Sequence, residues 1–161
     1  MLCPPVAEEP PRAGAPGGGP CWLCEHSTQN AIWADDNWLV TSKPEPGGLP
    51  LIVFLESRTH VDFLDLDDEL AGEWGRLCNT LHRVMMSHLP NVGRVHVCKW
   101  GDGSYHLHTW FIARPARFAQ IAGSPAVEWD EILPSTPRDV WEADRREVAR
   151  KLATHGGEAL V

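Results

Sequence analysis

Tyr105-His106-Leu107-His108-Thr109-Trp110-Phe111 sets two imidazoles two residues apart in a stretch that reads as a β-strand. Alternation along a strand puts His106, His108, Trp110 and Ile112 on one face and leaves Tyr105, Leu107, Thr109 and Phe111 as core packing on the other. An imidazole can attack phosphorus, carry a proton near neutral pH, or ligate a metal, so the pair alone leaves three chemistries open.

Immediately upstream, Trp100-Gly101-Asp102-Gly103-Ser104 carries two glycines. Without side chains in the way, their backbone N–H groups can approach a phosphate closely. Gly-Asp-Gly is also ordinary turn chemistry, and a hairpin loop from Arg94-Val95-His96-Val97-Cys98 into the histidine strand fits the same residues. The two readings agree, because such a turn sets backbone donors beside the imidazoles.

Farther upstream lies Cys21-Trp22-Leu23-Cys24, a C-x-x-C pair compatible with half a zinc site, a redox pair or two buried small residues. No βαβ pattern follows it to suggest a thioredoxin-like motif, and a total of five cysteines, Cys3, Cys78 and Cys98 being the others, argues against a disulfide framework. A zinc site needs two more ligands, and His26, His60, His96 and His106 all fall on segments that read as structured. His60 follows the apolar run Leu49-Pro50-Leu51-Ile52-Val53-Phe54-Leu55 and so sits at the end of what reads as a buried strand.

Taken together these residues resemble the histidine triad (HIT) superfamily of nucleotidyl hydrolases and transferases over roughly residues 20 to 115. The family signature, His-x-His-x-His-x-x after a Gly-rich turn, is matched by Gly101-Asp102-Gly103-Ser104-Tyr105-His106-Leu107-His108-Thr109-Trp110-Phe111-Ile112. The match places the family's nucleophilic histidine at His108, and Trp110 stands where hydrolases of the family carry a third histidine and uridylyltransferases a glutamine. Ala34-Asp35-Asp36-Asn37-Trp38-Leu39-Val40-Thr41-Ser42-Lys43-Pro44 resembles the first hairpin and the lysine-proline lip of the nucleotide pocket. In zinc-containing members a C-x-x-C pair, a histidine after the next strand and the first signature histidine hold a structural metal. Their counterparts here are Cys21, Cys24, His60 and His106.

The resemblance implies an α+β domain on a five-stranded, mainly antiparallel sheet, with a long helix and a C-terminal helix. It also implies a small-molecule nucleotide or nucleotide conjugate as ligand, and a homodimer. His108 is the expected catalytic residue; Lys43, Gly103, Ser104 and Trp110 are the expected substrate-binding ones. Two other readings of the same residues stay open: a metalloenzyme with His106 and His108 as catalytic metal ligands, and a nucleotide-binding module without turnover.

Composition narrows the rest. The 161 residues, 43% of them hydrophobic, suit a single domain with its own core. A net charge of −8 with scattered basic residues argues against a polynucleotide partner. Neither a run of apolar residues long enough to span a membrane nor a signal-peptide pattern is present, so a cytoplasmic location is expected. Residues 1–20, half of them proline and glycine, read as a disordered arm. Residues 21–115 form the HIT-like domain and 116–161 a C-terminal extension whose helix packs on the domain or on a dimer partner. Strands are expected at Ala31–Ala34, Trp38–Ser42 and Leu51–Glu56, with Asp35-Asp36-Asn37 as a hairpin turn. Leu70, Trp74, Leu77, Leu81 and Val84 share one helical stripe, with Asp65 or Asp67 as its cap. Trp141, Val148 and Leu152 share another, with Thr136-Pro137 as its start.

Overall fold

The computed structural model describes residues 4–161, so Cys3 lies outside the described residues. Six strands form one sheet: β1 (Ala31–Ala34), β2 (Trp38–Ser42), β3 (Ile52–Ser57), β4 (Val92–Cys98), β5 (His108–Pro115) and β6 (Glu158–Ala159), in the order β4-β5-β3-β2-β1-β6. All five strand pairings are antiparallel. The expected count of five is short by one because β6 is two residues long and has no alternating pattern to betray it. It forms only where the chain, after the last helix, returns to the free edge of β1.

Four α-helices accompany the sheet: α1 (Trp22–His26), α2 (Asp68–His88), α3 (Trp129–Ile132) and α4 (Arg138–Leu152). The cap of α2 is Asp67, whose carboxylate accepts the Leu70 N–H at 2.8 Å. At the start of α4 Thr136 does not cap. Its hydroxyl instead donates to the Leu49 carbonyl at 3.0 Å, and the helix begins on Pro137 without a side-chain cap. The β1–β2 turn forms as read, with Asp35 Oδ1 accepting from the N–H groups of Asn37 and Trp38. Glu73 of α2 then accepts from the Asn37 amide and the Trp38 indole, tying helix to hairpin.

Alternation divides the sheet residues between two apolar faces. Trp38, Val40, Val53, Leu55, Phe111 and Ala113 meet Leu81, Val84 and Met85 of α2 and Trp141, Val148 and Leu152 of α4 in the main core. Ile52 and Ile112, on the other face, meet Leu49, Ile121 and Ala126. The C-terminal extension is thus built into its own domain twice, its first part covering one face and α4 closing the other. Leu107, Thr109 and Phe111 are buried as expected, but Tyr105 is only half-buried and gives its hydroxyl to Asp65.

The histidine segment is shorter as a strand than its sequence suggests. The ladder with β3 starts at His108, and residues 104–107 form a loop held by bonds elsewhere: Tyr105 N–H to Ala13 O, Leu107 N–H to Val61 O, and Ser57 N–H to Leu107 O. Nor is the whole N-terminal arm loose. Ala13 pairs with Ser104, and Arg12 reaches Asp62 at 2.7 Å and the Gly101 carbonyl at 2.8 Å. Composition favoured disorder because it cannot register one arginine with one carboxylate fifty residues on.

Burial of α4 in the shared core gives an expectation. Trp141→Ala, which removes an indole only 3% exposed, lowers unfolding free energy by roughly 3–5 kcal/mol in urea denaturation. The loss is independent of protein concentration, as packing within one chain requires.

Candidate functional site

Two neighbouring arrangements occupy one edge of the molecule: a Cys/His cluster and a cavity. Cys21 sits just before α1 and Cys24 within its single turn, so their thiols point the same way, toward His60 beyond β3 and His106 in the loop before β5. The four candidate ligand atoms lie within 4.8 Å of one another. Cys21 Sγ is 3.3 Å and Cys24 Sγ 3.4 Å from His106 Nδ1, and Cys24 Sγ is 3.2 Å from His60 Nδ1. A tetrahedral ion with metal–S bonds of about 2.3 Å and metal–N bonds of about 2.0–2.1 Å sets such atoms roughly 3.4–3.8 Å apart. The cluster therefore has the donor set and compactness for a four-coordinate ion, with its widest atom pairs closing by up to about an ångström on binding.

The remaining histidine nitrogens are fixed as metal ligands require. His106 Nε2–H donates to Ser57 O at 2.8 Å, and His60 Nε2–H to Gly14 O at 3.1 Å, which orients each ring and turns Nδ1 inward. Burial holds His106 below the usual imidazole range and so in its neutral, ligating form. Burial and the adjacent Cys21 push the Cys24 thiol up to about 11, so it keeps its proton until a cation supplies the charge to displace it. His26 and His96 fall outside the cluster; His26 stacks on Trp22 with ring centroids 4.8 Å apart. His108 is outside it too, so spacing by two does not put both signature histidines at one site.

His108 instead lines a cavity of about 380 Å³, of the size that takes a small organic ligand. All five expected catalytic and substrate-binding residues, Lys43, Gly103, Ser104, His108 and Trp110, meet there. Trp22 and Leu23 of α1, Phe54 and Pro44 form apolar walls. The sequence reading missed α1 as a wall, although the C-x-x-C spacing that turns two cysteines to one side necessarily turns the intervening residues elsewhere. Trp110 is wedged edge-on between Phe54 and Trp100, at centroid distances of 4.6 and 5.2 Å.

Charge in the cavity differs from the expectation. Lys43, read as a group free for phosphate, is ion-paired with Asp130, a carboxylate 6% exposed that also accepts the Leu49 N–H at 2.9 Å. Asp130 comes from the extension, and nothing in the sequence links it to Lys43. Asp102, which would repel a phosphate, is exposed and does not line the cavity. Glu56 was missed although it is visible: a lone carboxylate ending an apolar strand. It is 3% exposed and accepts the Thr41 hydroxyl at 2.8 Å through Oε1, while burial pushes its carboxyl above the usual range.

Three buried polar atoms among the cavity-lining residues have no protein partner: Glu56 Oε2, Ser104 Oγ and Trp110 Nε1. Each such group costs about 1–3 kcal/mol when left unpaired, and none of the three exposes its polar atom to the open cavity. Next to them, His108 Nδ1 lies 2.8 Å from the His106 carbonyl. A carbonyl can only accept, so Nδ1 carries the proton and Nε2 keeps its lone pair.

The arm closes over both arrangements. Asp62, which burial would raise, is held below the usual carboxylate range by the Phe63 N–H, Lys99 and Arg12. The Arg12 guanidinium also lies 4.9 Å above the Tyr105 ring. Ala13 lines the cavity and Gly14 touches the cluster.

No family model and no curated protein matches the chain. Solved structures do match in fold. A zinc-bound histidine triad family protein from Mycobacterium smegmatis shares 18% identity and a TM-score of 0.55 over 84% of this chain and 94% of its own. A histidine triad protein from Bradyrhizobium japonicum gives 16% and 0.61 over 78% and 92%. A hypothetical histidine triad nucleotide-binding protein from Sulfolobus tokodaii gives 13% and 0.57 over 83% and 93%. The fold is that of the histidine triad proteins.

Gly14 has φ +84°, and a Cβ there would stand 2.7 Å from His60 Cε1. Gly14→Ala is expected to displace the His60 ring and weaken binding of a divalent ion by roughly 10–100-fold, measured by competition with a chromophoric chelator.

Proposed function

We propose that this protein binds a nucleotide or nucleotide conjugate in the cavity and transfers its nucleotidyl group through His108, as a hydrolase or transferase of the histidine triad type. The observation that carries the reading is the bond from His108 Nδ1 to the His106 carbonyl at the wall of a mostly apolar cavity, which leaves Nε2 as a free nucleophile. Base and sugar take the apolar side against Trp22, Leu23 and Phe54. Phosphate oxygens take the backbone N–H groups of Gly103 and Ser104. With Lys43 paired to Asp130, stabilisation of the developing charge falls to these dipoles.

Nε2 attacks the α-phosphorus of a phosphoester, phosphoanhydride or phosphoramidate and forms a nucleotidyl-imidazole; water or an acceptor phosphate then releases it. The fold shared with a protein described as nucleotide-binding supports this choice of ligand. Intact-mass measurement after incubation with nucleotides and nucleoside phosphoramidates is expected to show an acid-labile nucleotidyl adduct. In His108→Ala the adduct and turnover disappear while nucleotide binding survives. Turnover retained by that variant would remove the nucleophile assignment, and binding by the native protein without adduct or turnover would leave a binding module.

The Cys21, Cys24, His60 and His106 cluster holds zinc in this reading, as the borderline-soft S₂N₂ donor set and a zinc-bound fold neighbour both favour. Zinc here supplies structure: with four protein ligands no coordination position is open, and the ion fixes α1 so that Trp22 and Leu23 face the cavity. About one zinc per chain is expected. Such sites contribute on the order of 10 kcal/mol to folding, so Cys24→Ser should lower the Tm sharply and weaken nucleotide binding with it. Purification under reducing, chelator-free conditions without bound zinc would refute the site.

A further inference from the structure

Displacing a poor leaving group from phosphorus requires a proton donor, and the cavity offers few. The Nδ1–H of His108 is held by the His106 carbonyl, the indole N–H of Trp110 does not ionise in this range, and the Lys43 ammonium is bound to Asp130. The Ser27 hydroxyl is given to Leu23 O at 2.6 Å and that of Thr41 to Glu56 Oε1. Ser104 is unpartnered, but an alcohol is too weak an acid for the task.

Glu56 remains. It is the direct partner of His108 across the β3–β5 ladder, just as Phe54 is of Trp110, so Glu56 and His108 lie on the same face of the sheet. Side chains opposed in this way have Cβ atoms about 4.5–5.5 Å apart, close enough for both to line the same part of the cavity. Of its two carboxyl oxygens, Oε1 is fixed by Thr41 and Oε2 is buried without a partner. Burial also pushes the carboxyl above the usual carboxylate range, the direction that favours an acid over a base.

We propose that Glu56 is a catalytic residue of this cavity, its carboxyl giving the leaving group a proton as His108 attacks. The proposal rests on the reading of His108 above. In the first step the Nε2 lone pair forms the N–P bond, the P–O or P–N bond to the leaving group breaks, and its electron pair takes the Glu56 proton. This leaves a nucleotidyl-imidazolium beside a Glu56 carboxylate, two opposite charges that stabilise each other. In the second, water attacks phosphorus and returns its proton to Glu56 while the N–P electron pair goes back to Nε2. Ester and water become nucleotide and alcohol, and both side chains recover their first state.

The test compares two leaving groups. Adenosine, guanosine, cytidine and uridine 5′-monophosphates, each esterified with p-nitrophenol and with ethanol, are offered to the native zinc-loaded protein, His108→Ala, Glu56→Gln and Glu56→Asp. Native turnover that is lost in His108→Ala secures the nucleophile whatever Glu56 does. Glu56→Gln is then expected to lower kcat on the ethyl ester by about 10²-fold or more with KM little changed, and on the nitrophenyl ester by at least tenfold less, because nitrophenolate leaves without protonation. Glu56→Asp, which keeps the acid, should recover part of the ethyl-ester rate and provides the comparison if Glu56→Gln does not fold. Equal losses on both esters, or a loss confined to KM, overturn the proposal while His108 stands. If the native protein cleaves none of the eight esters, both assignments fall together.

Discussion

The β3–β5 ladder is the constraint from which the site follows. Its register sets Glu56 opposite His108, Phe54 opposite Trp110 and Ile52 opposite Ile112. Because strand side chains alternate with period two, a slip of one residue would send these groups into the helical core and bring Val53, Leu55 and Phe111 to the cavity. The apolar residues on the helical face therefore enforce the geometry of the polar ones opposite. Packing of α2 and α4 on one side is what holds His108 and Glu56 adjacent on the other.

A second constraint acts where the ladder ends. Residues 104–107 leave the sheet, and their backbone bonds go to the arm and to Val61. The chain turns His106 away from the cavity into the Cys/His cluster while its carbonyl still receives the His108 ring. One residue thus serves two sites, its side chain as candidate ligand and its backbone as the group that fixes the tautomer of the neighbouring imidazole. This coupling explains how a cluster at the surface bears on a cavity it does not enter: α1 carries cysteines toward one and Trp22 and Leu23 toward the other.

Electrostatics in the cavity are settled by pairing. The chain carries a net charge of −8, and Lys43, a cation lining the cavity, is matched by Asp130. The rest of the wall is largely apolar and aromatic, with Trp22, Leu23, Phe54 and Trp110 along it. A wall of this kind favours a ligand by shape and apolar area more than by charge.

Much of this was legible along the chain. Local pattern determined the hairpin at Asp35–Asn37, the α2 stripe from Leu70 to Val84, the apolar face of α4 and the C-x-x-C pair, while the grouping of Cys21, Cys24, His60 and His106 with His108 apart came from the resemblance to the histidine triad superfamily. The local features are carried by short-range periodicity or by a motif whose residue types have few chemical uses. Tertiary structure alone decided the sixth strand, the seating of Arg12, Ala13 and Gly14, the pairing of Lys43 with Asp130, and the partnership of Glu56 with His108. These contacts join positions from about forty to ninety residues apart or, for β6, rest on two residues. No periodicity records such distances; they exist only because burying both faces of one sheet brings those segments together.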